Sequence, residues 1–272
     1  MTVRILGSAA AEGVPAIFCV CEVCREARRR GGPNIRRRCT YLIGDRVMID
    51  FGPDAYGAMI SFGLDYSRLE HLLISHSHQD HWYPQDLFFR RPGFSVVAED
   101  NHLAVHGNAS VGARLAQGVS ETDRYALSFQ QARAFVEVDL GEGMTAVPLP
   151  ANHAHEQEAF IWLVHTPKGA VLFGNDTGWC PAETWDFLAG QQLRIVILDS
   201  TSGRIPAREG HMGAAVVVEV RDMLEKIGAL APGAWVLANH FSHNGGMLHE
   251  ELEEFFGPHD IRPAYDGMAL TL

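Results

Sequence analysis

The chain has 272 residues and a formal net charge of −11, with 47% apolar and 20% charged residues. This composition predicts one globular domain spanning residues 1–272, with a substantial core. The negative charge argues against general binding to nucleic acid or to an anionic membrane surface. No apolar run reaches about 18 residues, and residues 1–12 do not resemble a signal peptide, so we expect a cytoplasmic protein.

The amino-terminal region combines a predicted strand at residues 2–6 with a cysteine-rich loop. Five cysteines are present, at positions 19, 21, 24, 39 and 180. An odd number with this clustering makes a poor disulfide framework, whereas the spacing of the first three fits thiolate ligands of a metal ion. Residues 25–38 carry seven arginines, which predicts either a solvated, mobile excursion or an anion-attracting rim beside a site.

A predicted β-hairpin at residues 41–43 and 47–49 ends at Asp50, before a predicted helix at residues 55–62. A carboxylate at this strand end can orient a ligand histidine by accepting its second ring hydrogen. The alternative is that Asp50 caps the helix.

The densest functional signal follows a strand predicted at residues 69–74. His76, His78, Asp80 and His81 fall within six residues. Imidazole and carboxylate groups on the turn after a strand can converge on one point, which predicts half of a metal site. The alternative is a polar turn that happens to be rich in histidine.

The rest of the chain alternates strands and helices, except for residues 101–131, whose weak pattern supports no assignment. Strands are predicted at residues 94–98, 134–138, 145–149, 160–164, 170–173, 194–198, 234–238 and 269–272, and helices at 84–90, 210–227 and 247–256.

Candidate ligands follow five separate strands, which indicates that these strand ends share one edge of a sheet. The count fits two metal ions with Asp176 between them, and such ligand sets leave positions open for water, as in catalytic sites. One ion would take His76, His78 and His153, and the other Asp80, His81 and His240.

These motifs resemble the metallo-β-lactamase superfamily over nearly the whole chain. The resemblance implies an αββα sandwich of the α+β class, in which two mixed sheets are flanked by helices and the dinuclear site lies at one edge. Within the superfamily, the chain looks similar to the PhnP-type phosphodiesterases. That likeness rests on the cysteine trio followed by Cys39, on Gly210-His211-Met212, and on the segment from Asn239 to His243.

The PhnP-type likeness also implies a structural zinc that staples the amino-terminal loop, around residues 19–39, to a distant segment. Its ligands would be Cys19, Cys21, Cys24 and His243, a closed tetrahedral set. The active-site ions would be zinc or manganese, or iron. Cys180 is interpreted as a packed thiol, and Cys39 has no predicted role.

The implied activity is hydrolysis of a small cyclic phosphate diester, such as a phosphoribosyl cyclic phosphate. His211 is the candidate general acid, or else simply a residue at a helix start, and Asp80 is counted as catalytic as well as a ligand. His155 is a weaker second candidate for the acid. Asp199 either supports a ligand or is a turn carboxylate.

Three alternatives to this activity are open. A lactone or thioester hydrolase would use the same two metals, and a tRNA-processing nuclease would be expected to be less acidic. A non-catalytic or oxidative relative, resembling the PQQ-biosynthesis accessory protein, would be expected to lack some ligands. The expected partner is a small-molecule phosphodiester, with no membrane partner, and a homodimer is left open.

Overall fold

The computed structural model describes residues 1–119 and 122–272. Its first sheet is mixed and has seven strands in the order β14-β1-β2-β3-β4-β5-β6, numbered along the chain. The strands are β1 (Thr2–Gly7), β2 (Thr40–Ile43), β3 (Val47–Ile49), β4 (His71–Leu73), β5 (Leu103–Gly107), β6 (Leu127–Gln131) and β14 (Ala269–Thr271). From β3 to β6 the neighbours are parallel, and the others are antiparallel.

The second sheet is also mixed, with the order β13-β12-β11-β10-β9-β8-β7. The strands are β7 (Val138–Gly141), β8 (Met144–Pro150), β9 (Phe160–Thr166), β10 (Gly169–Gly174), β11 (Leu193–Asp199), β12 (Leu230–Asn239) and β13 (Ile261–Pro263). The strands from β10 to β13 are parallel. Because β9 is antiparallel to both β8 and β10, these two strands end at the same edge.

Helices cover the outer face of each sheet. The α-helices are α1 (Glu22–Arg30), α2 (Ala55–Phe62), α3 (Ala109–Gly118), α4 (Ala182–Leu188), α5 (Ala214–Lys226) and α6 (His249–Phe256). The 3₁₀ helices are Gly32–Asn34, Pro84–Arg90, Thr122–Tyr125, His243–Gly245 and Gly257–His259.

Three apolar clusters fill the spaces between the layers. The inner faces of the two sheets pack together through residues such as Ile43 and Trp162. Val111 and Leu115 of α3 pack on the outer face of the first sheet, and Val217 of α5 packs on the outer face of the second. The predicted αββα sandwich is therefore confirmed, and one domain over residues 1–272 stays a prediction.

No helix among the described residues is long and apolar enough to cross a membrane. The helix that was predicted at residues 55–62 has those bounds, and the strand predicted at 69–74 shortens to β4.

The strand predicted at residues 94–98 is wrong. Phe94 and Val96 alternate with other residues in a β-like pattern, but no described strand pairs with this segment and Val96 is fully exposed. Strand propensity is realised only where a sheet edge is available for pairing. The strand predicted at 134–138 begins only at Val138, and the middle of the chain contributes β5, α3 and β6.

The prediction of a solvated, mobile excursion at residues 25–38 is also wrong. Arg29 and Arg30 pair with Glu26 on α1, which explains how the run forms a helix. Arg36 is buried because its guanidinium donates to the Ser8 hydroxyl at 2.9 Å and to the Ala264 carbonyl at 2.6 Å. Arg36 therefore packs within the fold and Arg29 and Arg30 support α1, so this segment is an ordered part of the structure.

Two histidines lie within the first sheet, on the neighbouring strands β4 and β5. Nδ1 of His71 lies 3.1 Å from Nε2 of His106, and Nδ1 of His106 has no hydrogen-bond partner in the described part of the chain. Burial, together with the neighbouring His71, lowers the pKa of His106 from 6.5 to about 4.

This buried pair predicts acid sensitivity. The unfolded chain protonates His106 at higher pH than the folded chain does, so this stabilising contribution is complete above pH 6.5 and declines as the pH falls towards 4. The variant His106→Gln should reduce the loss of unfolding free energy between about pH 7.5 and 4.5 by about 2 kcal/mol. Urea unfolding at both pH values measures it, with His102→Gln as the exposed control. An unchanged pH dependence would refute the assignment.

Candidate metal centre

The His76–His81 segment follows β4 at the edge where the two sheets meet. Ser75 begins the turn, and its backbone N–H donates to Asp50 Oδ1 at 2.8 Å, which ties it to the end of β3. Gly52 permits the close approach of these loops, since a Cβ there would lie 2.0 Å from the carbonyl oxygen of Asp80. The loop after β3 thus contacts the segment at Ser75 and at Asp80.

One cluster consists of His76, His78, His153 and Asp176. Oδ2 of Asp176 lies 3.3 Å from Nε2 of His76 and 3.5 Å from Nε2 of His153. Nδ1 of His78 lies 3.4 Å from Nε2 of His153. His153, which follows β8, thus lies beside the His76–His81 segment, as the sequence predicts.

A second cluster consists of Asp80, His81, Asp176 and His240. Nε2 of His81 lies 3.0 Å from Asp80 Oδ2 and 2.9 Å from Asp176 Oδ2. Nε2 of His240 lies 2.8 Å from the other Asp176 oxygen, Oδ1. Asp176 is therefore shared by both clusters: Oδ2 faces rings of both, and Oδ1 faces His240.

These donor atoms fit divalent cations. Within each cluster the candidate ligand atoms all lie within 4.8 Å of one another. Nε2 of His76 and Oδ1 of Asp176 are buried and have no partner in hydrogen-bonding geometry among the described residues, although neighbours lie close. Buried polar atoms are nearly always satisfied, so lone pairs that converge without a hydrogen bond indicate positions for a cation.

Burial and charge act on the same groups. Burial and the nearby charge of His81 lower the pKa of His76 well below its usual range. Burial opposes the charged forms of His81 and His240, but the surrounding acidic groups, with Asp176 the largest contributor, together outweigh burial and raise the pKa of both rings. A divalent cation would replace those ring protons, because histidine ligands must be neutral at the coordinating nitrogen.

Three ligand rings are held from behind by hydrogen bonds. Nδ1 of His81 donates to Asp50 at 2.6 Å, the orienting contact predicted for that carboxylate. His153 donates Nδ1–H to the Gly210 carbonyl at 2.9 Å. Such partners fix the tautomer and orientation of metal-binding histidines.

The third support, Thr201, was not singled out in the sequence. Its hydroxyl oxygen lies 2.7 Å from Nδ1 of His240. Only its position two residues after the end of β11 could have drawn attention to it.

His211 lies beside the clusters, paired with the buried Asp199. Nδ1 of His211 donates to Asp199 Oδ2 at 2.9 Å, and its ring centroid lies 4.8 Å from that of His153. Burial disfavours the imidazolium, but Asp199 outweighs burial and raises the pKa of His211. The alternative of a mere turn carboxylate is wrong for Asp199, which also accepts from the Met212 backbone.

The same atoms form a further group in which His211 and Asp199 lie near Asp176 and His240. The geometry thus offers His211 two roles, as a proton donor or as a metal ligand.

Three strand-end residues at the site adopt left-handed backbone conformations. Asp50, Asp176 and His240 have φ values of 58°, 47° and 59°. Non-glycine residues cost free energy in this region, and such residues concentrate at functional sites. These conformations place two candidate ligands, Asp176 and His240, and the supporting Asp50 at the shared edge.

A buried polar group lies beneath the ligands and was missed in the sequence. The Tyr41 hydroxyl accepts from the side-chain amides of Asn175 and Asn239, the residues directly before Asp176 and His240. Asn239 also donates to Cys39 Sγ at 3.3 Å, so Cys39 accepts a hydrogen bond in this buried polar group. No sequence signal linked these residues, because they are up to 200 positions apart.

The cysteine trio and His243 come together at a separate place. Nδ1 of His243 lies 3.6 Å from Sγ of Cys19 and 3.4 Å from Sγ of Cys21. With Cys24 they form a group whose ligand atoms lie within 4.8 Å of one another. Burial raises the pKa of Cys24 to about 12, so a cation would be needed to stabilise its thiolate.

The other candidates lie outside these clusters. His155 is exposed and belongs to none of the ligand groups found among the described residues. Cys180 is buried in the core beside the second sheet, as predicted. The site opens into a cavity of about 330 Å³, lined by both clusters and by His211.

A comparison of the chain with sequence models of protein families identifies its family. The sequence model of the "Beta-lactamase superfamily domain" matches residues 45–238, more than half of the chain. The chain belongs to this superfamily. The predicted metallo-β-lactamase membership is confirmed, and its candidate His/Asp sites fit the metal-dependent hydrolases of the superfamily.

Solved structures in the superfamily share the fold. A diphosphatase from the PhnP family has a TM-score of 0.77 at 22% identity, with 99% of this chain and 96% of that chain covered. Zn²⁺-bound PqqB from Methylobacterium extorquens has a TM-score of 0.75 at 15% identity, with both chains fully covered.

A curated relative of this superfamily member is an octanoyltransferase of Porphyromonas gingivalis (strain ATCC BAA-308 / W83). It is 37% identical over 281 residues, which cover 97% of this chain. The chain spans only about half of that protein's length, since 50% of the relative is covered.

Proposed function

We propose that the chain hydrolyses a small phosphate diester, with a cyclic phosphate such as a phosphoribosyl cyclic phosphate as the favoured substrate. The observation that carries this proposal is the His211–Asp199 pair beside two ligand clusters that share Asp176. Diester hydrolysis needs both an electrophilic site for the phosphoryl oxygens and a proton for the leaving alkoxide.

The seven candidate ligands would hold two divalent cations around Asp176. When bound, such cations acidify a water and polarise the phosphoryl oxygens. Asp50 and Thr201 keep two ligand rings in place, so the site needs little rearrangement to receive a substrate. In this proposal Asp80 acts on the attacking water as well as serving as a ligand, which its pairing with His81 and its place in the cavity wall support.

His211 supplies the proton in this proposal. Asp199 stabilises its imidazolium form, and about a third of its side chain is exposed to the site cavity, with 32% relative accessibility. Nδ1 is taken by Asp199, so Nε2 is the nitrogen that donates to the leaving oxygen. The buried Asp199 positions the ring. Its negative charge stabilises the imidazolium form of His211, which burial alone would disfavour.

A second candidate function is hydrolysis of an acyl thioester or lactone. The observation that favours it is the curated relative, whose name refers to transfer of an octanoyl group. The same two clusters would polarise a carbonyl oxygen instead of a phosphoryl oxygen. The non-catalytic alternative is disfavoured, because all the predicted ligand side chains meet at the two clusters.

A substrate panel tests this proposal. Metal-replete enzyme is assayed with cyclic phosphate diesters, linear phosphate diesters, lactones and an octanoyl thioester, and kcat/KM is measured for each. The highest kcat/KM is expected with a cyclic diester. Activity confined to lactones or to the thioester would replace the first candidate with the second.

We also propose that Cys19, Cys21, Cys24 and His243 hold a structural zinc ion. The group joins residues that are 224 positions apart, from Cys19 to His243. A closed set of three thiolates and one imidazole leaves no position for substrate, which is typical of structural rather than catalytic zinc.

The structural zinc predicts a change in metal content. Wild-type protein should hold three ions per chain, and Cys21→Ser should hold two and unfold at a lower temperature. Mass spectrometry of the metals and thermal unfolding measure both effects, with Cys180→Ala as the control for loss of a thiol outside the group. An unchanged metal count in Cys21→Ser would exclude this zinc.

A further inference from the structure

Tyr41 lies beneath the metal centre but belongs to the first sheet. It is fully buried on β2, among the side chains that pack the two sheets together. Its ring centroid lies 5.1 Å from that of Phe173, on β10 of the second sheet. Close packing of this kind leaves a buried ring little freedom, so the core sets the position of the Tyr41 hydroxyl.

This hydroxyl joins the carboxyl ends of two strands of the second sheet. It accepts from the side-chain amide of Asn175, which directly follows β10, and from that of Asn239, the last residue of β12, at 2.6 Å in the second case. These two strands do not pair with each other, because β11 lies between them. One oxygen of the first sheet thus links two strand ends that have no direct pairing.

Each of these strand ends continues into a candidate ligand with a left-handed backbone. Asp176 follows Asn175 and has a φ of 47°, and His240 follows Asn239 and has a φ of 59°. Non-glycine residues keep such conformations only where the surrounding structure holds them. Oδ1 of Asp176 lies 2.8 Å from Nε2 of His240. The two ends that Tyr41 joins therefore present neighbouring donor atoms to the same cluster.

The two asparagines depend on this hydroxyl to different degrees. Asn239 also donates to Cys39 Sγ at 3.3 Å. The Asn175 side chain has no other partner in the part of the chain that the structure describes, and its Oδ1 is buried without a hydrogen bond. Loss of the hydroxyl would leave a buried amide unsatisfied, which is unfavourable. That loss falls on the end of β10, which carries Asp176, the candidate ligand that both clusters share.

We propose that Tyr41 is a positioning residue of the metal centre, whose hydroxyl holds Asp176 and His240 in place for two divalent cations. Its hydrogen bonds go to the two asparagines and to Cys39, so it acts through the residues that precede the ligands. The inference rests on the two-cation centre of the proposed function and does not depend on which substrate is hydrolysed.

The test is the Mn²⁺ affinity of Tyr41→Phe, which keeps the ring and removes only the hydroxyl. Full-length protein is equilibrated at graded concentrations of free Mn²⁺, and mass spectrometry counts the bound manganese. Because thiolates favour zinc, this count reports on the His/Asp clusters rather than on the cysteine group. We expect the half-saturating concentration to rise by about ten- to a hundredfold, as for other outer partners of metal ligands. The same titration with Zn²⁺ serves if wild-type protein does not take up Mn²⁺.

The matched control is Tyr66→Phe. The Tyr66 hydroxyl is buried without a partner among the described residues, so its removal breaks no described hydrogen bond. This variant should keep the half-saturating concentration of wild-type protein.

A second variant separates positioning from packing. Asn175→Ala should produce a similar shift, and combining it with Tyr41→Phe should shift the concentration by less than the product of the two single shifts, because both remove the same hydrogen bond. Independent, multiplicative shifts would overturn the inference. If Tyr41→Phe does not fold, the presence or absence of a shift in Asn175→Ala decides.

Unchanged metal affinity in Tyr41→Phe, even with a lower unfolding temperature, would mean that Tyr41 only packs the core. That result would overturn the inference and leave the two-cation centre intact. Wild-type protein that takes up neither Mn²⁺ nor Zn²⁺ at the two clusters would instead refute the centre and, with it, this role of Tyr41.

Discussion

The variant Asp176→Ala should lose both activity and active-site metal. This carboxylate directs one oxygen towards His81 and His76 and the other towards His240, so its removal weakens both clusters at once. We expect kcat/KM for a phosphate diester to fall by more than about a hundredfold, since loss of an outer hydrogen-bond partner alone costs up to that amount. Metal content should fall in parallel.

The control for this variant is Asp186→Ala, an exposed aspartate on α4 outside the ligand groups. It should retain wild-type metal content and activity. Two firmly bound active-site ions in Asp176→Ala would contradict the shared-ligand assignment. Circular dichroism of both variants shows whether any loss reflects misfolding.

The variant His211→Gln should discriminate between leaving groups. Loss of a general acid typically costs about 10²- to 10⁴-fold when the departing alkoxide needs a proton. We expect that loss of kcat with a cyclic ribose phosphate and little change with bis(p-nitrophenyl) phosphate, because nitrophenolate leaves without protonation. Steady-state kinetics with the two substrates provides the measurement.

His155→Gln is the matched control, since His155 is exposed and lies outside the clusters. Metal content is measured on the same samples, because His211 also lies near Asp176 and His240. Equal losses with both substrates, accompanied by loss of a metal ion, would make His211 a ligand rather than the general acid.

The convergence of the candidate ligands was predictable because they follow strand ends. His153, Asp176 and His240 each come directly after an apolar run, and parallel strands bring their carboxyl ends to one edge. The close spacing of His76, His78, Asp80 and His81 in the sequence indicated the other half of the metal site. The separation of the residues into two groups around Asp176 agrees with the groups predicted from the sequence.

What remained hidden depends on contacts between distant residues. Nothing near Arg36 in the sequence indicates that Ser8 and Ala264 satisfy its guanidinium, so its charge wrongly suggested a solvated segment. Tyr41 reads as an ordinary strand residue, although its hydroxyl joins the two asparagines that precede ligands.

The most direct test of the two-ion centre is anomalous X-ray diffraction from crystals of metal-replete protein, with data collected at the absorption edge of the bound metal. We predict two peaks in the active site, one beside His76, His78 and His153 and one beside Asp80, His81 and His240, with Asp176 between them. A single peak there, or none, would contradict the account.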